Sequence, residues 1–274
     1  MADDPLLARA RQVWLEMADV PMAFPVDGGV GVAVSAGSRL CPTGWIGIVA
    51  LGDAAIVTVP AGSRAGTVRA VLQGLPVEVL TDPDRLGAVL PVAEVLGRAR
   101  LAYLDEGDFQ PAGIDTVDVV AADHADLVRL MASVTADDAE ECGLADITSS
   151  AFVVRRGHHV VAAAGYRRWP GRVAHLCVLT APAYRGRGLA RAAASAATAD
   201  GLANHLLPQW RARPEPSRRV ARALGFRQLG AQWAANIDIP TPGELDGSEP
   251  IDDPPAGFAT WHEWRTHRWP PSAS

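Results

Sequence analysis

The stretch that most constrains this chain runs from His175 to Ala190 and reads HLCVLTAPAYRGRGLA. Its apolar start predicts a buried strand, and Pro182 ends that strand because proline cannot donate to a sheet ladder. A loop with two glycines follows, and the alanine-rich run after Arg191 is typical of a helix. This order predicts a phosphate or pyrophosphate site, because bare backbone N–H groups meet the positive end of a helix dipole there.

The glycine loop has three interpretations. It can be an ordinary capped helix after a strand, or a dinucleotide-binding G-x-G-x-x-G fingerprint in which Arg191 takes the third glycine position. A Rossmann fold would show alternating strands and helices, whereas a three-strand meander is predicted before this loop. The third interpretation rests on the pattern Arg-x-x-Gly-x-Ala over residues 185–190, preceded by Val-x-Thr-x-Pro-x-Tyr over residues 178–184. The combined pattern resembles the acyl-CoA-binding motif of the GNAT superfamily of N-acyltransferases.

The resemblance covers roughly residues 115–237 and implies an α/β fold of the α+β type, with a mixed sheet that is GNAT-like in the C-terminal half. We predict an N-terminal α/β domain at residues 1–110, a GNAT-like acetyltransferase domain at 111–237 and a tail at 238–274 that is first proline- and acid-rich, then tryptophan-rich. The smaller N-terminal domain carries no chemical motif. It is expected to serve packing or an interface, and a degenerate GNAT-like copy is the alternative, although no convincing internal repeat is visible.

Periodicity and turn residues divide both regions into elements. In the first region they predict a helix at 5–18, strands at 30–34 and 101–104, a hairpin at 45–59, a helix at 65–72 and short helices over 86–95. The acidic stretch 105–114 is the predicted linker. In the second region they predict strands at 117–122, 151–155, 159–167, up to 180, 206–212 and 226–237, and helices at 125–134, 137–144, 191–199 and 217–224.

The charge distribution points to an anionic ligand. All 25 basic residues are arginine, and 11 of them lie between residues 168 and 227 beside only two acids, a local net charge of +9 in a chain of formal net charge −6. A basic block inside an acidic protein indicates an anion bound locally, and CoA with its phosphates is such a ligand. Nucleic acid is the alternative, but few aromatic residues interleave with the arginines, so we predict no nucleic-acid partner.

Metal, disulfide and membrane signals are weak. The cysteines at 41, 142 and 177 are odd in number and scattered, which predicts neither a metal site nor a disulfide framework. His262-Glu263 and His267 fail the zinc pattern, which needs histidines four residues apart, so no metal is predicted. The acidic N-terminus lacks the positive charge of a signal peptide, and no apolar run approaches ~18 residues. We therefore expect a cytoplasmic protein without membrane contact, and the tail tryptophans leave a homodimer open.

The resemblance implies that acetyl-CoA is the cosubstrate. Six residues match the pyrophosphate-binding positions of the family: Arg185, Gly186, Arg187, Gly188, Leu189 and Ala190. In the family, the strand before the loop splays from its neighbour, and Val178, Leu179 and Thr180 match its exposed edge. Their backbone groups are expected to bind the pantetheine amides and to polarise the thioester carbonyl, a contribution of about 3–4 kcal/mol.

Three residues are candidate general bases for the amine: His175, Glu140 and Glu141. Glu141 lies, with Glu140, on a helix that borders the acceptor site in this family. His175 lies on the strand before the glycine loop, but strand parity turns it away from the predicted thioester face, so a structural histidine is the alternative. A solvated helix face is the alternative for the glutamates, and a water chain could also accept the proton.

The sequence offers one candidate proton donor, Ser217. The thiolate in this family is often protonated by a tyrosine, whose position falls on Ala221 here, and a common asparagine of the family falls on Pro214. Ser217 is the nearest hydroxyl on that helix and is expected to contact the pantetheine arm or the sulfur. An N-cap is the alternative for Ser217.

Taken together, the sequence favours an acetyl-CoA-dependent N-acetyltransferase that moves an acetyl group from the CoA thioester to a primary amine by direct transfer. The acceptor would be a small-molecule or peptide amine, and no residue dictates which one. The alternative is a non-catalytic acyl-CoA-binding or scaffold module that kept the GNAT fold.

Overall fold

The computed structural model of the chain describes residues 4–62, 65–113 and 117–237. Helices and strands alternate in a mixed α/β arrangement, as predicted. The first elements along the chain are α1 (Pro5–Ala18), β1 (Gly29–Val34), β2 (Ile46–Leu51), β3 (Ala54–Val59), α2 (Ala65–Gln73), α3 (Val77–Leu80), α4 (Pro83–Gly87) and β4 (Val92–Tyr103). They are followed by β5 (Val117–Val120), α5 (Ala125–Ala132), α6 (Ala136–Cys142), β6 (Ala151–Arg156), β7 (His159–Trp169), β8 (Val173–Thr180), α7 (Leu189–Ala203), β9 (Leu207–Ala212), α8 (Glu215–Ala223) and β10 (Arg227–Ile237).

The described residues divide into two compact units. One unit combines residues 4–6 and 100–229, and the other combines residues 7–99 and 230–237. The predicted boundaries after residues 110 and 237 differ from this division, because β4 and β10 each contribute residues to both units.

The unit of residues 7–99 and 230–237 contains strands in the order β1-β3-β2-β10. β1 runs parallel to β3, and β2 is antiparallel to both β3 and β10. The predicted hairpin is present as β2 and β3, which turn at Gly52. On one face, the side chains of the sheet pack with residues of α2 and α3, and the indole Nε1 of Trp233 donates to the carbonyl oxygen of Leu80 at 2.8 Å.

The helical prediction for residues 86–95 is wrong in its second half. α4 ends at Gly87, and β4 already begins at Val92, after Pro91. A short apolar run such as VAEVL fits a strand or a helix equally well, so its pattern alone cannot separate the two. The predicted strand at 101–104 is the end of this longer strand.

The unit of residues 4–6 and 100–229 contains strands in the order β4-β9-β8-β7-β6-β5. β8 and β9 are parallel, and the other neighbours are antiparallel, so the predicted meander of three strands is formed by β6, β7 and β8. The alanine face of α7 packs against one side of this sheet. The same core cluster includes Trp210 of β9, Ala221 of α8, Leu224 and Phe226. Residues of α5 pack against the other side with Cys177 and Leu179.

The predicted linker is packed rather than extended. Residues 106–108 form a short 3-10 turn. The amide of Gln110 donates to the carbonyl oxygen of Leu224 at 3.1 Å, and the amide of Ala112 donates to Ser195 Oγ at 2.9 Å. These bonds hold the segment to the same unit as α7 and α8.

Within the described ranges, no helix is long and apolar enough to cross a membrane. In the same ranges, no group of three His, Cys, Asp or Glu side chains could hold a metal ion, and none of the three cysteines forms a disulfide bond. The tail and the rejected zinc pattern around His262 lie outside the described residues.

Candidate active site

The sheet forks between β8 and β9. These strands pair only through Val173–His175 with Leu207–Gln209. Beyond that point, β8 stays paired with β7 up to Thr180, while β9 stays paired with β4 up to Ala212. Within the described residues, the β9-facing edge of Leu176–Thr180 therefore has no strand partner. We call this opening the fork, and its backbone groups can bind an extended chain of amides.

The hydroxyl group of Thr180 lies at the open end of β8. The Oγ1 atom of Thr180 is buried and has no hydrogen-bond partner among the described residues. Buried polar atoms are normally hydrogen-bonded, so an orphan at a strand edge indicates a place for a polar ligand atom. The predicted exposed edge at Val178, Leu179 and Thr180 lies on this branch of the fork.

The loop after β8 presents open backbone. Gly186 and Gly188 adopt left-handed φ angles of +75° and +77°, and a Cβ atom on either would meet nothing within 4 Å. Gly188 caps α7 without a side-chain hydrogen bond. In the described chain, no acceptor meets the amides of Gly186, Gly188, Leu189 or Ala190. These donors lie at the N-terminus of α7, where the helix dipole is positive, and this arrangement favours a bound anion.

The two arginines of the loop have different contacts. Arg185 donates from Nε to the carbonyl oxygen of Thr180 at 3.2 Å and from Nη2 to Oδ2 of Asp138 in α6 at 2.8 Å. The Arg185 guanidinium holds the pKa of Asp138 below its ordinary value of 3.8. Arg187 is exposed, and its guanidinium lies 5.4 Å from the centre of the Tyr184 ring. Both arginines therefore add positive charge beside the open amides.

Glu141 is bound on both oxygens. Arg213, which directly follows β9, donates from Nε to Oε1 at 3.1 Å and from Nη2 to Oε2. The hydrogen bond to Glu141 raises the pKa of Arg213 above its ordinary value. Together with the Asp138 pair, this links α6 to the chain just beyond both branches of the fork. To act as a base, Glu141 would have to give up part of this pairing.

His175 lies inside the sheet, with only 6% of its surface exposed. Its Nδ1 is 2.9 Å from Oε1 of Gln209, and its ring stacks on Trp169 with 4.3 Å between centroids. The structural alternative that strand parity suggested fits these contacts. A base at this position would have to reach the amine through other groups.

Ser217 lies in the first turn of α8. Because the N-cap of α8 is Pro214, the alternative that Ser217 is an N-cap is wrong. Its Oγ accepts a hydrogen bond from Nε1 of Trp210 at 3.0 Å. The oxygen is thus oriented by the indole, and its own O–H can donate to another group.

Sequence reasoning missed three residues of this region. Gln209 and Trp210 were assigned only to a strand, and Arg213 carried no motif at all. Their partners lie far away along the chain: 34 residues for Gln209 with His175 and 72 residues for Arg213 with Glu141. The one available signal was that Arg213 directly follows the strand predicted at 206–212.

Comparison with known proteins supports the family resemblance. Residues 148–232 match the family model described as GNAT acetyltransferase. This match includes the meander, the glycine loop, α7, β9 and α8. No curated protein matches the chain.

Solved structures with similarity to this chain include a GNAT-family acetyltransferase from Novosphingobium aromaticivorans, at 21% identity and a TM-score of 0.41 over 53% of this chain. A GCN5-related N-acetyltransferase from Kribbella flavida has 17% identity and a TM-score of 0.45 over 59%. The chain spans 65% of the length of each of these two structures. A tandem GNAT protein from the clavulanic acid biosynthesis pathway has 12% identity and a TM-score of 0.43, over 88% of this chain and 97% of its own. On the family match, residues 148–232 of this chain form a GNAT acetyltransferase domain.

Proposed function

We propose that this chain is an acetyl-CoA-dependent N-acetyltransferase that transfers the acetyl group directly to a primary amine. The observation that carries the proposal is the continuity of two features: an unpaired strand edge at Leu176–Thr180 and the open glycine loop that follows it. Their order along β8 matches the order of thioester, pantetheine and pyrophosphate along CoA. The family match over residues 148–232 supports the acyltransferase class.

The donor would be held mainly by backbone. The amides of Gly186, Gly188, Leu189 and Ala190 would bind the pyrophosphate, since no described group competes for them. A bulky side chain at either glycine would stand in the open space that the phosphates need. Arg187 supplies charge at the surface of the same loop.

The fork would hold the pantetheine arm and the thioester. Acetyl-CoA supplies the acetyl group: the amine nitrogen forms a C–N bond, the C–S bond breaks, and one proton moves from the nitrogen to the thiolate. The backbone N–H groups of Val178 and Thr180 face away from β7 and would orient the arm and polarise the carbonyl, whereas the N–H of Leu179 faces β7. Fixed donors of this kind lower barriers by about 3–4 kcal/mol.

Ser217 can replace the tyrosine that the family places at position 221. Ala221 is one helical turn after Ser217, on the same face of α8. Because helical side chains lean toward the N-terminus, a tyrosine hydroxyl from position 221 would lie over the turn that holds Ser217. The Trp210 indole leaves the serine O–H free to donate. We therefore assign Ser217 as the hydrogen-bond donor to the leaving sulfur.

The acceptor side would involve the acids of α6. α6 carries four acids, Asp137, Asp138, Glu140 and Glu141, and two of them bind Arg185 and Arg213. An excess of negative charge near the fork favours a cationic amine, either a small molecule or a peptide. Base roles for Glu141 and His175 stay predictions, as do the cytoplasmic location, the absence of nucleic-acid and membrane partners, and a homodimer.

The second candidate function is a non-catalytic acyl-CoA-binding module. Ala221 at the tyrosine position and the paired state of Glu141 favour it. Such a module would keep the loop and the fork, and would bind acetyl-CoA without releasing thiol.

Calorimetric titration with acetyl-CoA tests the proposal. We expect saturable binding, followed by thiol release when a panel of primary amines is added. No binding at millimolar acetyl-CoA would exclude both candidate functions. Binding without thiol release for any amine would favour the non-catalytic module.

A further inference from the structure

The fork closes on a single rung of the sheet. His175 and Gln209 form the last register pair between β8 and β9. After this pair, among the described strands, β8 is paired only with β7, and β9 is paired only with β4. Whatever fixes this rung also fixes where the two strand edges begin to separate.

Three side chains join at that rung. The Nδ1 of His175 donates to Oε1 of Gln209 at 2.9 Å, and Nε2 of Gln209 donates to the hydroxyl oxygen of Tyr103 at 2.9 Å. Tyr103 is also the register partner of Gln209, on β4. The three residues therefore form a continuous line of hydrogen bonds across β8, β9 and β4, which we call the polar row.

The polar row is buried throughout. Gln209 and Tyr103 are 0% exposed, and His175 is 6% exposed and stacked on Trp169. Buried polar side chains are unfavourable unless their hydrogen bonds are made in one geometry, so a satisfied row selects one register over its neighbours. A shift of β8 by one residue against β9 would place Leu176 opposite Gln209 and break the row.

We infer that the polar row of His175, Gln209 and Tyr103 sets the width and starting point of the fork, and so positions the thioester-binding edge of β8. This rests on the proposed function, because it gives the fork its ligand. The three are positioning residues: they act through the backbone of Leu176–Thr180 and do not themselves meet the donor. His175 thereby has a role that is not proton transfer.

Two variants break the row while keeping its volume. Gln209→Met replaces the amide by an unbranched apolar chain, and His175→Phe keeps a ring to stack on Trp169. The matched control is Tyr166→Phe, which removes another buried hydrogen bond of the same unit, from Tyr166 to Oδ2 of Asp200 at 2.7 Å. Tyr166 is the register partner of Leu176, next to the last rung, but its hydroxyl bonds to Asp200 of α7 and so does not join β8 to β9 or β4.

The binding test compares acetyl-CoA with 3′-phospho-ADP, the half of CoA that lacks the pantetheine arm. In Q209M and H175F, acetyl-CoA should bind about tenfold or more weakly, since misplacing a binding edge by ~1 Å is costly. Affinity for 3′-phospho-ADP should stay within about twofold, because the glycine loop is untouched. Y166F should leave both affinities near those of the wild type.

Hydrogen exchange of the free protein tests the row without any ligand. In Q209M, the amides of residues 173–177 and 207–212 should exchange faster relative to those of the β6–β7 pair, and in Y166F they should not. The inference is overturned if Q209M and Y166F give the same exchange pattern, or if Q209M weakens both ligands equally. If the wild type binds neither compound, the proposed function fails, and exchange alone decides whether the row holds the rung.

Discussion

Arg185 and Asp138 form an ion pair of 2.8 Å between the first turn of α6 and the loop that begins the candidate pyrophosphate site. The same guanidinium also binds the carbonyl oxygen of Thr180, the last residue of β8. An acid thus competes with the donor phosphates for the charge of Arg185. This competition can be measured by removing the acid.

We expect Asp138→Asn to tighten acetyl-CoA binding by about two- to fivefold at low salt, the range of an exposed ion pair. The gain should shrink as added salt screens the charges, which titrations at two ionic strengths would show. The control is Asp118→Asn, which removes the same charge from an exposed pair with Arg155. Weaker binding by D138N would contradict the competition.

Gly188→Ala should weaken the binding of acetyl-CoA. Both G188A and its control Gly157→Ala put a side chain at a left-handed φ, at +77° and +59°, with nothing within 4 Å of the new Cβ. Each should lower the free energy of unfolding by about 1–2 kcal/mol through backbone strain. Only G188A should also weaken acetyl-CoA binding, by about tenfold or more, because its methyl group enters the open loop. Equal affinities in the two variants would remove the loop from the site.

Ser217→Ala tests the proton donor. It should lower kcat by about 10–100-fold, toward the low end of general-acid effects, because a CoA thiol leaves readily even unaided. The Kd of acetyl-CoA should change less than kcat. Ser195→Ala, which removes the buried hydroxyl that binds the amide of Ala112, is the control and should leave kcat near the wild-type value. An unchanged kcat in S217A would refute the assignment.

The loss of folding stability at acid pH should depend in part on Asp126. The hydrogen bonds from Arg129, and then from Arg155, hold the pKa of Asp126 below its ordinary value of 3.8. A carboxyl with a lowered folded pKa stabilises the protein above its unfolded pKa, and this contribution is lost as the pH falls through the folded value. Asp126→Asn should therefore be less stable than the wild type between about pH 5 and 7, and the gap should begin to narrow as the pH falls below about 4. Urea unfolding at several pH values measures the gap, and a gap that is the same at the lowest pH reached as at about pH 7 would contradict the shift.

The sequence predicts what is local. The strand, the glycine loop and α7 are neighbours in the chain, and the left-handed conformations of Gly186 and Gly188 are ones that glycine adopts without strain. The β6–β7 turn at Gly157 and the end of α6 at Gly143 are equally local. These features led to the correct family and the meander.

What the sequence could not predict depends on distant partners. The pairing of Glu141 with Arg213 and the line from His175 through Gln209 to Tyr103 join residues 34 to 106 positions apart. No periodicity encodes such contacts, because each needs the finished sheet to bring its members together. For the same reason, the predicted boundaries missed that residues 230–237 group with residues 7–99.

That grouping has a consequence for synthesis. β2 gains its second neighbour only through residues 230–235 of β10, and the whole of residues 100–229 is translated between them. While the ribosome is still making those residues, one hydrogen-bonding edge of a hydrophobic strand stays uncovered, a state prone to aggregation. We therefore expect the nascent polypeptide to rely on chaperones until its tenth strand has emerged, however early its other elements form.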